Sequence, residues 1–319
     1  MSILRLAAGP ILAEVWTLGA ALNGLFVSGP GGPVPVLLGV RDQEARLAST
    51  AYLGEIVGPY GNRIAEGRFR LDGQEYQLER NFAQRHCLHS GSDGFHRREW
   101  QVLDQGPARV RLGLVWADTT GEHPGPVRAE VTYTVGEQWV EHQIEVRADV
   151  TTVVNVAAHP YLNLAGSGTI HEHLLQVRAG SYLPVSQTLI PLPGAPAPVS
   201  GVFDLRQPRP LAESILAQGG LDHCFVLDGE GFREVASLTD PVSGRRLTIA
   251  TDRPGLQVYT GHGLDQTTIG PEGPYQPYAG VALETQDFPD APNRPDFPST
   301  VLRPGEVRRS RTRWTFSSG

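Results

Sequence analysis

Glycine and proline punctuate this chain along its whole length, and this distribution limits what the chain can fold into. The 319 residues include 37 Gly and 26 Pro. Both residues interrupt helices and favour turns, and apolar residues at helical spacing rarely recur between them. The sequence therefore predicts many short strands joined by turns.

Alternating apolar and polar residues mark the strand candidates. The clearest segments are RVRLGLVWAD from Arg109, RAEVTYTV from Arg128, QWVEHQIEVRADV from Gln138 and RRLTIATD from Arg245. RFRLDGQEYQLE, from Arg68, predicts a hairpin because Asp-Gly separates two alternating runs. One short helix is predicted at LAESILAQGG, from Leu211, where glycines end it, and the proline-rich PLPGAPAPVSG predicts a loop.

No polar linker and no repeat of fixed period divides the chain. A length of 319 residues suits either two average domains or one large all-β domain. Because strand patterns occur throughout, we predict a single domain, residues 1–319, of the mainly β class. The expected architecture is a large antiparallel β-sandwich.

The basic residues exclude several kinds of chemistry. All 27 are Arg and none is Lys, which excludes a lysine Schiff base and a P-loop lysine. The formal net charge of -7 is scattered and leaves no basic stripe, so neither nucleic acid nor a membrane is expected as a partner. A small neutral molecule is the better match.

The N-terminal segment and the cysteines predict the cellular setting. MSILRLAAGPILAEVW lacks the charged leader and unbroken apolar core of a signal peptide, and two cysteines are too few for a disulfide framework. We therefore expect a soluble cytoplasmic protein. A zinc site built from Cys87, His89, His223 and Cys224 is disfavoured, since adjacent residues on a strand point to opposite faces; no metal is predicted.

The segment AAHPYLNLAG places His159 directly before a proline. If the segment is extended, His159 shares a polar face with Asn155 and Tyr161. Pro160 favours extended backbone in the residue before it and predicts a strand end, edge or bulge here. From this strand alone, a solvated surface histidine and a site histidine both remain open.

Four other segments carry side chains suited to sugar or acid–base chemistry. They hold Asn62 and Arg63 in GPYGNRIAEGRF, His89 in HCLHSGSDGF, Asp222 in GGLDHCFVLDG, and Glu284 in GVALETQDFP. Each side chain alone also has an ordinary structural explanation, such as a solvated carboxylate or a turn residue.

Together and in this order, the five segments resemble the aldose 1-epimerases, also called galactose mutarotases. The resemblance runs from about Gly58 to Glu306 and is most specific in ALETQDFPDAPNRPDFPSTVLRPGE, from Ala282. Two departures stand out. Ser90 follows His89 where the family usually has Gly, and Pro160 and Leu162 stand where it usually has Ser and Phe.

The resemblance implies a galactose mutarotase-like β-supersandwich that interconverts the α and β anomers of a free aldose such as glucose or galactose. The implied chemistry is ring opening and reclosure by one acid and one base, without a cofactor. Glu284 would be the base at the anomeric hydroxyl and His159 the acid at the ring oxygen, with His89 beside that oxygen. The implied hydroxyl contacts are Asn62, Arg63, Asp222 and Gln257.

Three alternatives keep some of these residues. A carbohydrate-binding module would need Asp222 and Arg63 but no acid–base pair. A glycoside hydrolase would use Glu284 and Asp222 as paired carboxyl groups. A hexose 6-phosphate epimerase would need arginines that converge on the phosphate, and the arginines here are scattered. We therefore predict a neutral monosaccharide as the substrate.

Overall fold

The fold is known from a computed structural model, which describes residues 1–29 and 31–318. In this part of the chain the strands of the first half are β1 Ile3–Ala8, β2 Ile11–Trp16, β3 Ala21–Gly29, β4 Gly32–Pro35, β5 Ile56–Val57, β6 Arg63–Ile64, β7 Arg68–Leu71, β8 Gln74–Gln77, β9 Cys87–Leu88, β10 Gln101–Gln105, β11 Arg109–Trp116, β12 Val127–Val135, β13 Trp139–Ala148, β14 Thr152–Val153 and β15 Ala157–Ala158. Those that follow are β16 Tyr161–Leu162, β17 Leu174–Val177, β18 Ser181–Tyr182, β19 Ala197–Pro198, β20 Arg209–Pro210, β21 Asp222–Val226, β22 Arg233–Thr239, β23 Arg245–Thr251, β24 Gly255–Tyr259, β25 Ile269–Gly270, β26 Gly273–Pro274, β27 Val281–Gln286, β28 Val301–Leu302 and β29 Arg308–Ser318.

Three antiparallel sheets carry most of these strands. Their orders are β10-β11-β12-β13-β29-β23-β22-β17-β20, β16-β27-β24-β21-β18-β19 and β1-β2-β3-β4, and short two-stranded ladders connect them. The predicted mainly β class is therefore confirmed. All four strand segments singled out in the sequence are strands of the nine-stranded sheet.

Alternation along the strands explains how the sheets pack. In β12, Val127, Ala129, Val131 and Tyr133 are buried while the residues between them are partly or fully exposed. Such a period of two places one face against the core and the other toward water. The largest buried apolar cluster takes residues from Leu4 near one end to Phe316 near the other, so one core joins the sheets.

The hairpin and one helix were predicted correctly. β7 and β8 pair directly across Asp72 and Gly73, whose φ angles of 49° and 85° are both left-handed, as a tight hairpin turn requires. The helix α2, Leu211–Gln218, ends at Gly219 with φ 78°, the left-handed cap that glycine favours.

A second helix, Gln43–Ala48, was missed and is named α1. The side chain of Asp42 caps it by accepting a hydrogen bond from the amide of Ala45 at 2.8 Å, so the sequence did hold a start signal. Short 3₁₀ turns lie at Ala65–Gly67, Gly91–Asp93, Phe95–Arg97, Gly201–Phe203 and Ala291–Asn293. None of the described helices is long and apolar enough to cross a membrane.

The segment around His159 differs from the single half-buried strand that alternation predicted. It forms three two-residue strands, β14, β15 and β16, and residues 152–164 are all buried. The break before β16 falls at His159 and Pro160, which confirms the strand end expected there. Other chain segments pair with each of these short strands.

Candidate active site

The floor of the site is one face of the six-stranded sheet. Gln257 on β24 lies directly opposite Glu284 on β27, and Asp222 begins β21, two residues before the partner of Gln257. Residues that are opposite or diagonal across paired strands have neighbouring side chains on one face. Sheet register therefore gathers three carboxyl and amide groups that lie far apart in the sequence.

Two paired segments form one wall of the site and carry Asn62, Arg63 and His89. Arg63, on β6, is the register partner of Leu88, on β9. The amide of His89 donates to the carbonyl of Asn62 at 3.0 Å, and the amide of Asn62 donates to Nδ1 of His89 at 3.1 Å. Because Nδ1 accepts a hydrogen bond, the hydrogen of this neutral ring must sit on Nε2. Burial first, and then the proximity of His159, His96 and Arg63, hold the pKa of His89 well below 6.5.

His159 is fixed through its own backbone. Its amide donates to the carbonyl of Glu55 and its carbonyl accepts from the amide of Gly54, both at 2.9 Å. The imidazole lies 5.4 Å from the ring of His89 and 5.1 Å from that of Tyr161, measured between ring centroids. The backbone thus holds the imidazole in a pocket of rings.

The central contact joins Nε2 of His159 to Oε1 of Glu284 at 3.4 Å. Both side chains are buried, with exposures of 6% and 3%. Burial disfavours the charged form of each group: it lowers the pKa of His159 to about 4 and raises the pKa of Glu284 well above 4.5. Burial thus disfavours an imidazolium beside a carboxylate relative to the neutral pair. Among the residues that the structure describes, Oε2 of Glu284 and Nδ1 of His159 have no hydrogen-bond partner.

The remaining polar side chains form a closed hydrogen-bonded ring. Arg63 contacts Asp222 at 3.2 Å and Asn62 at 3.4 Å, and Gln257 donates to the other oxygen of Asp222 at 2.6 Å. Gln286, also on β27, closes the ring with bonds of 3.4 Å to Gln257 and 3.5 Å to Asn62. Each member holds its neighbours in one orientation, so donors and acceptors face the pocket in a fixed pattern.

These groups surround a cavity of about 360 Å³. Six of the seven residues predicted from the sequence line it, namely Asn62, Arg63, His89, His159, Asp222 and Glu284, and Gln257 contacts Asp222 behind it. Sequence reasoning missed four aromatic lining residues, Tyr52, Phe82, Tyr161 and Tyr259. Tyr259 could have been found, because it lies two residues after Gln257 and so shares its face. Tyr52 and Phe82 carry no such signal.

Left-handed backbone is concentrated around this cavity. Tyr52, Asn62, His89 and Ser90 have φ angles of 56°, 64°, 51° and 64°. Such conformations strain residues other than glycine and are common at functional sites. Ser90 stands where the resembling family usually has glycine, and its hydroxyl offsets the strain by accepting from the amide of Tyr60 at 2.8 Å and donating to the same residue's carbonyl at 3.2 Å.

His89, His159 and Glu284 also offer metal-ligand atoms that lie within 4.8 Å of one another. The tautomer of His89 argues against a metal here. A neutral histidine binds metal through the nitrogen without hydrogen, and in His89 that nitrogen already accepts from Asn62. Binding through Nε2 would place a hydrogen on Nδ1, against the amide of Asn62. This arrangement suits a hydrogen-bond donor rather than a cation ligand.

Comparison with known proteins gives one consistent family. The family model described as aldose 1-epimerase matches residues 2–315. The chain is 39% identical to a galactose mutarotase of Rattus norvegicus over 98% of this chain and 93% of that protein, and 32% identical to an aldose 1-epimerase of Escherichia coli over 88% and 84%. A crystal structure of an aldose epimerase homologue from C. elegans superposes with a TM-score of 0.93 at 28% identity and covers 99% of both chains.

Proposed function

The chain belongs to the aldose 1-epimerase family and is an isomerase that acts on carbohydrates, and from this premise we propose how its side chains divide the reaction and which sugars they take. Glu284 removes the proton of the anomeric hydroxyl, and His159 delivers a proton to the ring oxygen. The ring opens to the aldehyde, rotation about the first carbon–carbon bond follows, and the ring recloses as the other anomer with the two roles reversed.

The observation that carries this assignment is the buried contact between His159 and Glu284 at 3.4 Å. Ring opening needs one proton on the pair, initially on the histidine. After opening, the proton from the sugar is on Glu284 and the imidazole is neutral, which is the form that burial favours. Burial therefore opposes the charged pair that begins ring opening and favours the neutral pair that ring opening produces. The free Oε2 of Glu284 offers a position for the anomeric hydroxyl.

His89 supports the opening step as a neutral donor. The hydrogen on its Nε2 would face charge that develops near the ring oxygen, and a fixed donor in a dry site stabilises such charge strongly. Asn62, Arg63, Asp222 and Gln257 would hold the sugar hydroxyls, because their hydrogen-bonded ring fixes the direction in which each group points.

The substrate that we propose is a neutral free aldose, with D-galactose and D-glucose as the first candidates, since several relatives are galactose mutarotases. Of the lining residues that the structure describes, Arg63 is the sole arginine, and Asp222 already neutralises it at 3.2 Å. This disfavours a hexose 6-phosphate. The bonds of Arg63 and Gln257 to Asp222 likewise leave that carboxylate poorly placed to act as the second catalytic acid of a glycoside hydrolase.

We also propose one domain and a reducing, cytoplasmic setting. The main apolar cluster draws on residues from Leu4 to Phe316, which supports a single domain. Cys87 and Cys224 are both free and buried, and unpaired thiols are typical of proteins from reducing compartments.

Polarimetry tests the function directly. Freshly dissolved α-D-galactose, α-D-glucose and α-D-glucose 6-phosphate are followed to anomeric equilibrium with the wild type and with Glu284→Gln. We expect the wild type to accelerate the two neutral sugars and the variant to be about 10²–10⁴-fold slower, the range of one positioned acid or base. Each catalysed rate is compared with the spontaneous rate of the same sugar. A larger acceleration of the phosphate than of either neutral sugar would overturn the substrate class. Near-normal turnover by the variant would overturn the role of Glu284.

A further inference from the structure

Asn155 lies behind the site, where three of its segments meet. The backbone amide of Asn155 donates to the carbonyl of Pro59 at 2.8 Å, and its backbone carbonyl accepts from the amide of Gly61 at 2.5 Å. These two bonds form a parallel bridge centred on Tyr60. Asn155 therefore fixes the backbone directly before the sugar-contacting pair Asn62 and Arg63.

The side chain of Asn155 extends this link to a second segment. Its Oδ1 accepts from the amide of Asp287 at 2.9 Å. Its Nδ2 donates to the carbonyls of Gly61 at 3.0 Å and Asp287 at 3.4 Å. The residue is 1% exposed, so water cannot replace these bonds, and the loss of any one would leave a buried backbone group unpaired.

The three connected segments all carry residues of the site. Gly61 directly precedes Asn62, Asp287 directly follows β27 and lies three residues after Glu284, and His159 lies four residues after Asn155 itself. Arg308 donates a hydrogen bond to the side-chain carboxylate of Asp287 at 2.8 Å. The amide of Asn155 is thus a direct side-chain bridge between the sugar-contacting loop and the strand that carries the base.

We propose that Asn155 is a positioning residue that sets the spacing between the sugar-contacting loop at Asn62 and Arg63 and the base Glu284. This inference rests on the function proposed above. It follows that the residue acts without touching the sugar. A shift of about 1 Å in such a spacing can cost about 10²-fold in rate, because the reacting groups leave their productive geometry.

Asn163 provides a matched control in the same stretch of chain. It is 3% exposed, and its Nδ2 donates to the carbonyl of Ala279 at 2.8 Å while its Oδ1 accepts from the amide of Ala165 at 3.1 Å. It is therefore a buried asparagine with a similarly satisfied amide. Unlike Asn155, it bonds neither the loop before Asn62 nor the residue after β27, and the residues that it does bond do not line the pocket.

The test compares Asn155→Ala, Asn155→Asp and Asn163→Ala with the wild type, and measures kcat, KM and the thermal unfolding midpoint. Asn155→Asp keeps the size and the acceptor but loses the donated bonds, and it serves as the folded variant if Asn155→Ala does not fold. We expect both changes at Asn155 to lower kcat/KM at least tenfold, with a higher KM and a lower kcat. Asn163→Ala should lose thermal stability yet stay within about twofold of the wild-type kcat/KM.

Two outcomes distinguish the explanations. If the changes at Asn155 lower the unfolding midpoint but leave kcat and KM like those of the control, Asn155 is merely structural and the proposal is wrong. If wild-type protein accelerates no aldose at all, the proposed function fails instead. In that case, sugar affinity measured by calorimetry decides: an affinity for α-D-galactose unchanged in Asn155→Asp would overturn the positioning role as well.

Discussion

Two buried glutamates, Glu284 and Glu55, show how differently one fold treats the same side chain. Glu55 is 4% exposed and contacts Arg46 at 2.8 Å. Glu284 is 2% exposed, and its ion-pair contact among the described residues is with His159. Burial raises the pKa of both carboxyl groups. Arg46 opposes the shift at Glu55 through charge and a hydrogen bond, whereas at Glu284 Asp222 adds to the shift and Arg63 opposes it through charge alone.

The difference separates a structural carboxylate from a chemical one. Arg46 also donates to Asn23 at 2.6 Å and to the carbonyl of Leu53 at 3.0 Å, so its ion pair with Glu55 is part of a buried network that joins α1 to the segment behind His159. Glu284 keeps one oxygen without a partner. A buried carboxyl group without a strong cationic partner is unfavourable, and the proposed role in proton transfer would account for its retention.

The largest expected effect comes from Glu284→Gln, which should lower kcat by about 10²–10⁴-fold without lowering stability. The amide keeps the shape but cannot take a proton. Polarimetry and thermal unfolding, measured on the same preparation, check both halves of the prediction. A variant that loses activity only because it unfolds would make Glu284 structural, like Glu55, and would remove the contrast.

The difference in stability between Glu284→Gln and the wild type should also change with pH, and in one direction only. Because the folded-state pKa of Glu284 lies above 4.5, the folded wild type binds more protons than the unfolded chain in the window above 4.5. This contribution to stability is therefore complete below 4.5 and is lost as the pH rises through the folded-state value. Glutamine has no such loss, so the variant should gain stability relative to the wild type as the pH rises.

Glu55→Gln should have the next largest effect, and it should lower stability rather than kcat. Removing one partner of a buried ion pair costs about 3–5 kcal/mol because the other charge stays buried and uncompensated; here that charge is Arg46. Denaturant unfolding measures the loss, and kcat of the folded fraction should fall far less than in Glu284→Gln. If Glu55→Gln is as stable as the wild type, the ion pair is not what holds this segment.

A smaller effect is expected in the pH dependence of kcat/KM. In the proposed mechanism the pair must hold one proton, because a pair that holds two leaves Glu284 unable to accept the proton of the anomeric hydroxyl. Burial lowers the pKa of His159 to about 4 from the usual 6.5, so kcat/KM should stay high as the pH falls through 6.5 and should decline only toward about 4. An acid limb near the usual histidine value would show that His159 is not buried as a neutral ring. Tryptophan fluorescence at each pH controls for unfolding.

The sequence predicted the fold class and the members of the site because both depend on local patterns. Alternation identified β11, β12, β13 and β23, and five short segments supplied six of the seven predicted site residues, while Gln257 was predicted from the family resemblance alone. The pairing of His159 with Glu284 was expected only from the resemblance, since nothing in either segment brings them together. Strand register between β27 and its neighbours does so.

Other features could not be read from one chain. The contrast between Glu55 and Glu284 depends on whether an arginine reaches the carboxylate, and Arg46 reaches Glu55 from a helix that sequence reasoning missed. Alternation also placed His159 on an exposed face, because it cannot show that loops cover both sides of a short strand. Burial, which determines the pKa values that the mechanism uses, is a tertiary property.

The smallest loss of stability is expected from a substitution of Glu145, a third glutamate, on the outer face of the nine-stranded sheet. Glu145 contacts Arg147 and, at 2.8 Å, Arg309, yet its side chain is 26% exposed and those of the two arginines are 46% and 65% exposed. Water and salt screen such pairs, so Glu145→Gln should cost less than about 1 kcal/mol and leave kcat unchanged. Denaturant unfolding at low and high salt checks this, because added salt should reduce the small difference further. A loss as large as that of Glu55→Gln would mean that ion pairing alone, rather than burial, determines what a carboxylate contributes to this fold.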